Sequence, residues 1–307
     1  MNRTPLHGLI AATYTPLNAD GSLKLELIPD LVDELLSQEI RGLYVCGSTG
    51  EGMSLTTAER QQVAQAYTTA AAGRLPVIVQ VGHNSVQQAR ELAAHAQDIG
   101  ADVVSATCPS YFRVGDVHTL VECMQHIASG APNLPFYYYH IPMLTGSTLD
   151  MVEFLTQGAK SIPNLVGLKY TDTKLYEFQN CLELAAGRFD VVWGCDEMLL
   201  GALATGGRGA IGSTYNIAAP LYNRLIAAVE QGDLVRAREL QSLAVRMIDT
   251  IGRYPFHAAM KAILTMRGLP VGGCRLPQGQ LTETQSAALQ TELQAIGFFD
   301  WSRLTHG

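Results

Sequence analysis

Short apolar segments alternate along the chain with longer segments in which apolar residues recur every three or four positions. Each short segment has the length and near-continuous apolar character of a buried parallel strand. The longer ones, such as Ile28–Leu36 and the segment with Met151, Phe154 and Leu155, have the period of an amphipathic helix. Strands are predicted at Gly8–Ala12, Gly42–Cys46, Pro76–Val81, Asp102–Ala106, Leu134–Tyr139, Leu165–Lys169, Val191–Gly194 and Gly209–Gly212.

Eight strands separated by helices are compatible with an open doubly wound sheet or with a closed barrel. The regular repeat and the apolar strands favour an α/β fold of the (β/α)8 or TIM barrel type. After the eighth strand, helical periodicity continues between turn signals at Pro255, Gly268–Pro270 and Gly272-Gly273. We therefore predict one domain over residues 1–307, with a barrel over 6–230 and extra C-terminal helices over 231–307.

The composition is that of an ordinary globular enzyme. Of 307 residues, 47% are hydrophobic and 16% are charged, which allows a large core and argues against disorder. The net charge of −7 argues against nucleic acid as a partner. No apolar run reaches the length of a membrane span, and the N-terminus does not have the form of a signal peptide. These features predict a cytoplasmic protein with no membrane partner.

The cysteines do not form a pattern typical of a disulfide framework or a zinc site. They are scattered, without CxxC spacing, and no pair of histidines has metal-ligand spacing. We expect reduced, mostly buried thiols and no bound metal at Cys46, Cys108, Cys123, Cys181, Cys195 and Cys274.

Polar side chains concentrate where the predicted strands end, and the carboxyl ends of barrel strands share one mouth. Lys169 ends an apolar strand there, which would hold an amine rigidly. An amine attacks a ketone only when it is neutral, and partial desolvation by the barrel wall favours that form. Lys169 is therefore predicted to be the nucleophile of a Schiff-base enzyme.

A Schiff base also requires a group that moves protons, and tyrosine can do so. Tyr139, the last of three consecutive tyrosines, is the candidate by its place at a strand end. Alternation predicts that Tyr138 faces the layer between barrel and helices, and that Tyr137 points inward one layer deeper. His140 is then turned away from the mouth, where we expect a structural hydrogen-bonding role.

The Gly47–Gly52 loop lacks the lysine of a phosphate-binding loop. Its backbone N–H groups, with Ser48 and Thr49, would suit a small carboxylate. Asp196 and Glu197 could accept hydrogen bonds from sugar hydroxyls or simply open the following helix, and both can hold at once. Cys195 is a weak candidate nucleophile because no histidine partner is evident.

Four segments together resemble the N-acetylneuraminate lyase family, within the Schiff-base aldolase superfamily that also contains dihydrodipicolinate synthase. These segments are Gly47–Gly52, Tyr139–Gly146, Gly167–Asp172 and Gly194–Glu197, and the resemblance runs from Leu6 to Trp301. It implies that Lys169 forms the Schiff base, that Tyr139 relays protons, and that Tyr111, or its neighbour Phe112, acts across a subunit contact. The implied substrate-binding residues are Ser48, Thr49, Thr171, Gly194, Asp196, Glu197 and Ser213.

The resemblance also implies a reaction, the reversible cleavage of N-acetylneuraminate to N-acetylmannosamine and pyruvate, in a homotetramer. Neither a metal nor an organic cofactor is expected, because the iminium on Lys169 is the electron sink. Dihydrodipicolinate synthases carry an arginine two residues after the proline of the tyrosine motif, and Leu144 stands there instead, so that substrate is disfavoured.

Three alternatives remain open. The chain could be another pyruvate-dependent aldolase or dehydratase such as dihydrodipicolinate synthase, or a sugar-acid sensor without catalysis. A lysine in a barrel mouth can also hold pyridoxal phosphate, for which Gly206–Gly209 would be the weak phosphate-binding candidate.

Overall fold

The computed structural model describes residues 5–302. Its eight parallel strands form a closed barrel in chain order, and the last strand pairs with the first. The predicted TIM barrel is confirmed. The first four and last five residues of the predicted domain lie outside the described residues. The strands are β1 Gly8–Ala12, β2 Gly42–Val45, β3 Val77–Gln80, β4 Val103–Ala106, β5 Phe136–His140, β6 Leu165–Tyr170, β7 Asp190–Trp193 and β8 Gly209–Gly212.

All eight predicted strands are present, and their ends differ from the prediction by at most two residues. The predicted second strand includes Cys46, but this residue has a φ of 59°. The left-handed conformation cannot continue a strand, so β2 ends one residue earlier. β6 continues one residue past Lys169, to Tyr170.

Helices cover the outside of the barrel. Side-chain caps begin several of them, and the capping box between Thr56 and Glu59 at the start of the second helix is one example. The α-helices are α1 Ile28–Ser37, α2 Thr57–Ala71, α3 Val86–Asp98, α4 Val117–Ala128, α5 Pro142–Thr145, α6 Met151–Ser161, α7 Leu175–Glu183, α8 Leu199–Ala204, α9 Tyr215–Glu230, α10 Leu234–Ile251, α11 Phe256–Met266, α12 Glu283–Ala295 and α13 Phe298–Trp301.

The buried apolar residues form two layers. The inner layer fills the barrel and contains Tyr137 and Tyr139, and the outer layer lies between barrel and helices and contains Tyr138. The alternation predicted for the three tyrosines is therefore confirmed.

The pairing of β5 with β6 contains a register shift. Phe136 pairs with Leu165, but Tyr137 pairs with Gly167, so β6 carries one extra residue at this point. From there the pairing is regular, and Tyr139 lies directly beside Lys169. The shift is a β-bulge, which changes the face to which the following side chains point.

The helices after Glu230 pack beside the barrel, with α10 against α9 and α8, and α11 against α9. None of the helices between residues 5 and 302 combines the length and apolar character needed to cross a membrane.

Candidate active site

Lys169 is buried at the carboxyl end of β6, with 4% of its surface exposed. Its Nζ lies 3.9 Å from the ring centre of Tyr139 and 4.2 Å from that of Tyr44. Within the described part of the chain, Lys169 forms no ion pair. The amine is thus held between two aromatic faces, and no carboxylate of the described residues pairs with it.

Tyr44 is a site residue that the sequence analysis missed. It comes from β2, and its ring meets that of Tyr139 edge-on, with centroids 5.7 Å apart. Its hydroxyl donates to Ser105 Oγ of β4 at 3.1 Å, which fixes the orientation of the ring. Alternation in Gly42–Val45 could have placed Tyr44 inside the barrel, but nothing in the sequence indicates its contact with Lys169.

The Gly47–Gly52 loop follows β2 and closes on itself. Glu51 N donates to Ser48 O, and Gly52 N donates to Gly47 O, both at 3.1 Å. The side chain of Thr49 is buried, and that of Ser48 is half-buried. Ser48 lines a small cavity of about 70 Å³ together with Ile141, Leu144 and Thr145. The loop predicted to bind a carboxylate and the loop after β5 therefore meet at the mouth.

The ends of β6 and β7 touch at Thr171 and Gly194. A β-carbon built on Gly194 would lie 1.9 Å from Thr171 Oγ1, so only glycine fits beside this hydroxyl. The hydroxyl is buried and has no hydrogen-bond partner among the described residues. The structure thus places a buried hydroxyl, without a protein partner within residues 5–302, one residue past β6. Buried polar atoms normally have a hydrogen-bond partner, and a bound ligand would supply one here.

Asp196 is buried beneath the mouth. Its Oδ2 accepts hydrogen bonds from Thr214 N at 2.9 Å and from Thr214 Oγ1 at 2.6 Å, while its Oδ1 has no partner within the described chain. Burial raises the pKa of this carboxyl to about 6, and the bonds from Thr214 oppose the shift. Asp196 also begins a short 3-10 turn before α8, so its place is partly structural.

Two further predicted residues flank Asp196. The side chain of Glu197 is exposed at the rim, and that of Ser213 is half-buried after β8. The backbone carbonyls of Asp196 and Glu197 both accept from Gln241 Nε2, at 3.3 and 2.9 Å. A side chain of α10 thus holds the segment predicted to bind the sugar tail.

The Tyr111 side chain does not pack into the mouth of its own barrel. Tyr111 and Phe112 are 81% and 83% exposed, and their rings contact each other edge-on. Met143 and Leu144 are further exposed apolar side chains. An action of Tyr111 across a subunit contact stays a prediction.

The structural role predicted for His140 is confirmed only in part. Its side chain faces away from the mouth as expected, but neither ring nitrogen has a hydrogen-bond partner in the described chain. Nε2 lies 3.8 Å from Asp172 Oδ2, and the ring packs 5.2 Å from that of Tyr170. Burial lowers the pKa of His140 to about 4, so the ring is neutral near pH 7. It serves as an aromatic packing residue.

The cysteines are free thiols throughout residues 5–302, with four buried and two half-buried. Burial raises the pKa of Cys195 to about 12, and the nearby Glu197 carboxylate adds to the shift. A protonated thiol is a poor nucleophile, which removes Cys195 as an alternative to Lys169.

The glycine-rich segment considered for phosphate lies at the wrong end of the barrel. It precedes β8, and Gly206 and Arg208 line a cleft of about 590 Å³ with Leu6 and Asp190, at the amino ends of the strands. Lys169 lies at the carboxyl ends. This segment cannot bind the phosphate of a pyridoxal group attached to Lys169, so the observed geometry argues against that alternative.

Comparison with known proteins gives the family of this chain. Residues 5–296 match the dihydrodipicolinate synthetase family. The chain is 43% identical to N-acetylneuraminate lyase A of Xenopus laevis over 276 residues, which cover 89% of this chain and 90% of the relative. It is 37% identical to N-acetylneuraminate lyase of Rattus norvegicus over 307 residues, covering 98% and 96%.

A solved structure of N-acetylneuraminate lyase from Aliivibrio salmonicida superimposes with a TM-score of 0.94 at 38% identity, covering 99% of each chain. A family match over nearly the whole length, with relatives well above 30% identity, is decisive. This chain belongs to the dihydrodipicolinate synthetase family.

Proposed function

We propose that this chain is a Schiff-base aldolase that reversibly cleaves N-acetylneuraminate to N-acetylmannosamine and pyruvate. The observation that carries the proposal is the buried, unpaired amine of Lys169, 3.9 Å from the ring of Tyr139. The relatives named above, which match nearly the whole chain, are N-acetylneuraminate lyases. The enzyme is a carbon–carbon lyase.

The first half of the reaction forms the Schiff base. The neutral amine of Lys169 attacks the C2 ketone of the open-chain sugar acid and gives a carbinolamine. Tyr139 donates its phenolic proton to the departing hydroxyl, so water leaves and an iminium remains on Lys169. Ser48, Thr49 and the backbone N–H groups of their loop hold the substrate carboxylate.

The second half breaks the C3–C4 bond. The tyrosinate left at position 139 accepts the C4 hydroxyl proton, the bonding electrons move into the iminium, and N-acetylmannosamine leaves. The resulting enamine takes a proton at C3 from Tyr139, and water hydrolyses the iminium to release pyruvate. Thr171, Gly194, Asp196, Glu197 and Ser213 are proposed to hold the hydroxyl-bearing tail and the cleavage site.

This scheme requires no metal and no organic cofactor, because the iminium itself withdraws the electrons. The position of Leu144 supports a sugar acid over the substrate of dihydrodipicolinate synthase. Leu144 lines the small cavity beside Ser48, and an apolar side chain cannot make a bidentate contact with a second carboxylate.

Assembly and location form the last part of the proposal. We propose a cytoplasmic homotetramer, in which Tyr111 of one subunit reaches the site of another. The exposed apolar side chains of Tyr111, Phe112, Met143 and Leu144 support a subunit contact near the mouth, because side chains of this kind mark interfaces.

The test is the intact mass of the protein after borohydride trapping, with N-acetylneuraminate in one tube and pyruvate in another. The expected result is a reduced pyruvyl adduct on Lys169 in both tubes and none in Lys169→Ala. Lys174→Ala, which removes a partly exposed lysine five residues away, is the matched control. An adduct with pyruvate alone would indicate that the substrate is another 2-keto acid. No adduct in either tube would indicate a sensor without catalysis.

A further inference from the structure

An ion pair between Glu51 and Lys261 is buried behind the mouth. The distance from Lys261 Nζ to Glu51 Oε1 is 2.6 Å, and each side chain is 1% exposed. Glu51 belongs to the Gly47–Gly52 loop, whereas Lys261 belongs to α11, 210 residues later in the chain. The pair thus joins the proposed carboxylate-binding loop to the C-terminal helices.

Both partners of the ion pair make a further hydrogen bond. Lys261 Nζ also donates to Gly273 O at 2.7 Å, and Glu51 Oε2 accepts from Arg275 N at 2.7 Å. The segment after α11 therefore contacts both members of the pair. A buried pair with this geometry fixes the relative position of the two elements, because separating them would leave an unpaired charge out of water.

The backbone of the loop is held in an unfavourable shape at the same residue. Glu51 has a φ of 55°, in the left-handed region that only glycine adopts easily. Such a conformation persists when surrounding contacts determine it. Here those contacts are the ion pair with Lys261 and the bond from Thr15 Oγ1 to Gly50 O at 2.7 Å.

The charge of Lys261 has a second consequence. Glu51 is two residues from Thr49, so an unpaired carboxylate at position 51 would repel a substrate carboxylate bound by the same loop. The ammonium of Lys261 cancels this charge within the protein. Lys261 neutralises Glu51 without contacting the substrate, because its amine donates to Glu51 and to Gly273 O.

We infer that Lys261 is a positioning residue for the reaction: acting through Glu51, it sets the shape and the charge of the loop that binds the substrate carboxylate. This inference rests on the proposed function. It assigns to α11 a part in substrate binding, although Lys261 itself does not touch substrate.

The experiment compares two ketones that differ only in the carboxylate. Borohydride trapping on Lys169 is followed as a function of concentration with pyruvate and with its uncharged methyl ester. In Lys261→Met, we expect the half-saturating concentration of pyruvate to rise about tenfold or more, the effect of losing a bond to a charged group. That of the ester should stay within about twofold, since the ester carries no charge for the loop to bind.

Two further variants make the test specific. Arg275→Met breaks a different contact of the same C-terminal segment, its ion pair with Glu59 of α2 at 2.5 Å, but keeps the backbone bond to Glu51. It should leave both half-saturating concentrations unchanged. Glu51→Gln with Lys261→Met removes both charges together and serves if Lys261→Met does not fold. No carboxylate is then left at position 51 to repel pyruvate, but the ion pair that shapes the loop is lost. The half-saturating concentration of pyruvate should therefore still rise more than that of its ester.

A parallel rise for both ketones in a folded variant would indicate a general structural role and overturn the inference, as would no change for either. Failure of the wild-type protein to be trapped by pyruvate at all would instead overturn the proposed function, and with it the inference. The two failures are thus distinguished by the wild-type measurement alone.

Discussion

Gly194 and Thr171 face each other so closely that a β-carbon at position 194 would lie 1.9 Å from the Thr171 hydroxyl oxygen and 3.0 Å from the Tyr170 carbonyl oxygen. The hydroxyl has no hydrogen-bond partner in the described chain. The absence of a side chain on the residue after β7 is therefore what leaves room for a hydroxyl on the residue after β6, at the point where the proposed substrate tail would lie.

Substitution of Gly194 by alanine should displace Thr171 from this position. We expect kcat/KM for N-acetylneuraminate to fall at least about tenfold, because the tail loses a hydrogen bond and its pocket changes shape. Trapping of pyruvate, which has no tail, should remain. Gly115→Ala is the control, since nothing lies within 4 Å of its β-carbon position. Equal loss for both substrates would show that the contact supports the whole barrel mouth.

Removal of the Tyr139 hydroxyl should distinguish the packing of the ring beside Lys169 from proton transfer by the hydroxyl. Tyr139→Phe keeps the ring beside Lys169, so the fold should survive, but kcat for cleavage should fall by roughly 10²- to 10⁴-fold. Tyr138→Phe is a matched control, because Tyr138 lies on the opposite face of the same strand, where its hydroxyl contacts Cys108 Sγ at 3.5 Å. Steady-state kinetics would contradict the proposed role if the two variants lost activity equally.

An arginine at position 144 should weaken cleavage of the sugar acid. Leu144 lines the cavity beside Ser48, and the longer, charged side chain of arginine would occupy space next to the proposed carboxylate site. We expect KM for N-acetylneuraminate to rise about tenfold in Leu144→Arg. Met143→Arg adds the same charge at a neighbouring exposed position and should change KM little. Unchanged kinetics in Leu144→Arg would show that this position does not select the substrate.

The raised pKa of Asp196 predicts a pH-dependent contribution to stability. The carboxyl binds its proton more tightly in the folded state, with a pKa of about 6 against 3.8. Its contribution is therefore fully present below pH 3.8 and is lost as pH rises through 6. Relative to Asp196→Asn, the wild-type protein should lose about 2 kcal/mol of unfolding free energy between pH 4 and pH 7.

Urea unfolding of both proteins at several pH values would measure this difference. The comparison with the variant is necessary because His140 acts in the opposite sense. Its pKa is lowered from 6.5 to about 4, so its contribution is complete above pH 6.5 and is lost as pH falls through 4. A difference between the two proteins that does not depend on pH would contradict the buried, protonatable state of Asp196.

The sequence was sufficient to predict the barrel, because the spacing of its apolar residues follows the periods of strands and helices. It also located Lys169 and Tyr139, since carboxyl ends of barrel strands share one mouth. Alternation correctly divided Tyr137, Tyr138 and Tyr139 between the two layers of the core.

The remaining features depend on contacts between distant parts of the chain. Glu51 and Lys261 are 210 residues apart, and no periodic pattern connects them. The ring of Tyr44 beneath Lys169 was missed for the same reason. The hydrogen bond expected of His140 depends on the same kind of contact, since Asp172 Oδ2 lies 3.8 Å from Nε2 and alternation along a strand does not give that distance.

The extra residue in β6 decides on which side of the barrel wall the reaction can occur. Strict alternation from Leu165, whose side chain packs in the outer layer, would direct Lys169 outward as well. With the bulge, Val166 packs inside and the parity of the strand is reversed before Lys169 is reached. A regular strand made of the same residues would turn the amine toward the helices, so the activity depends on this backbone irregularity as much as on the identity of any active-site residue.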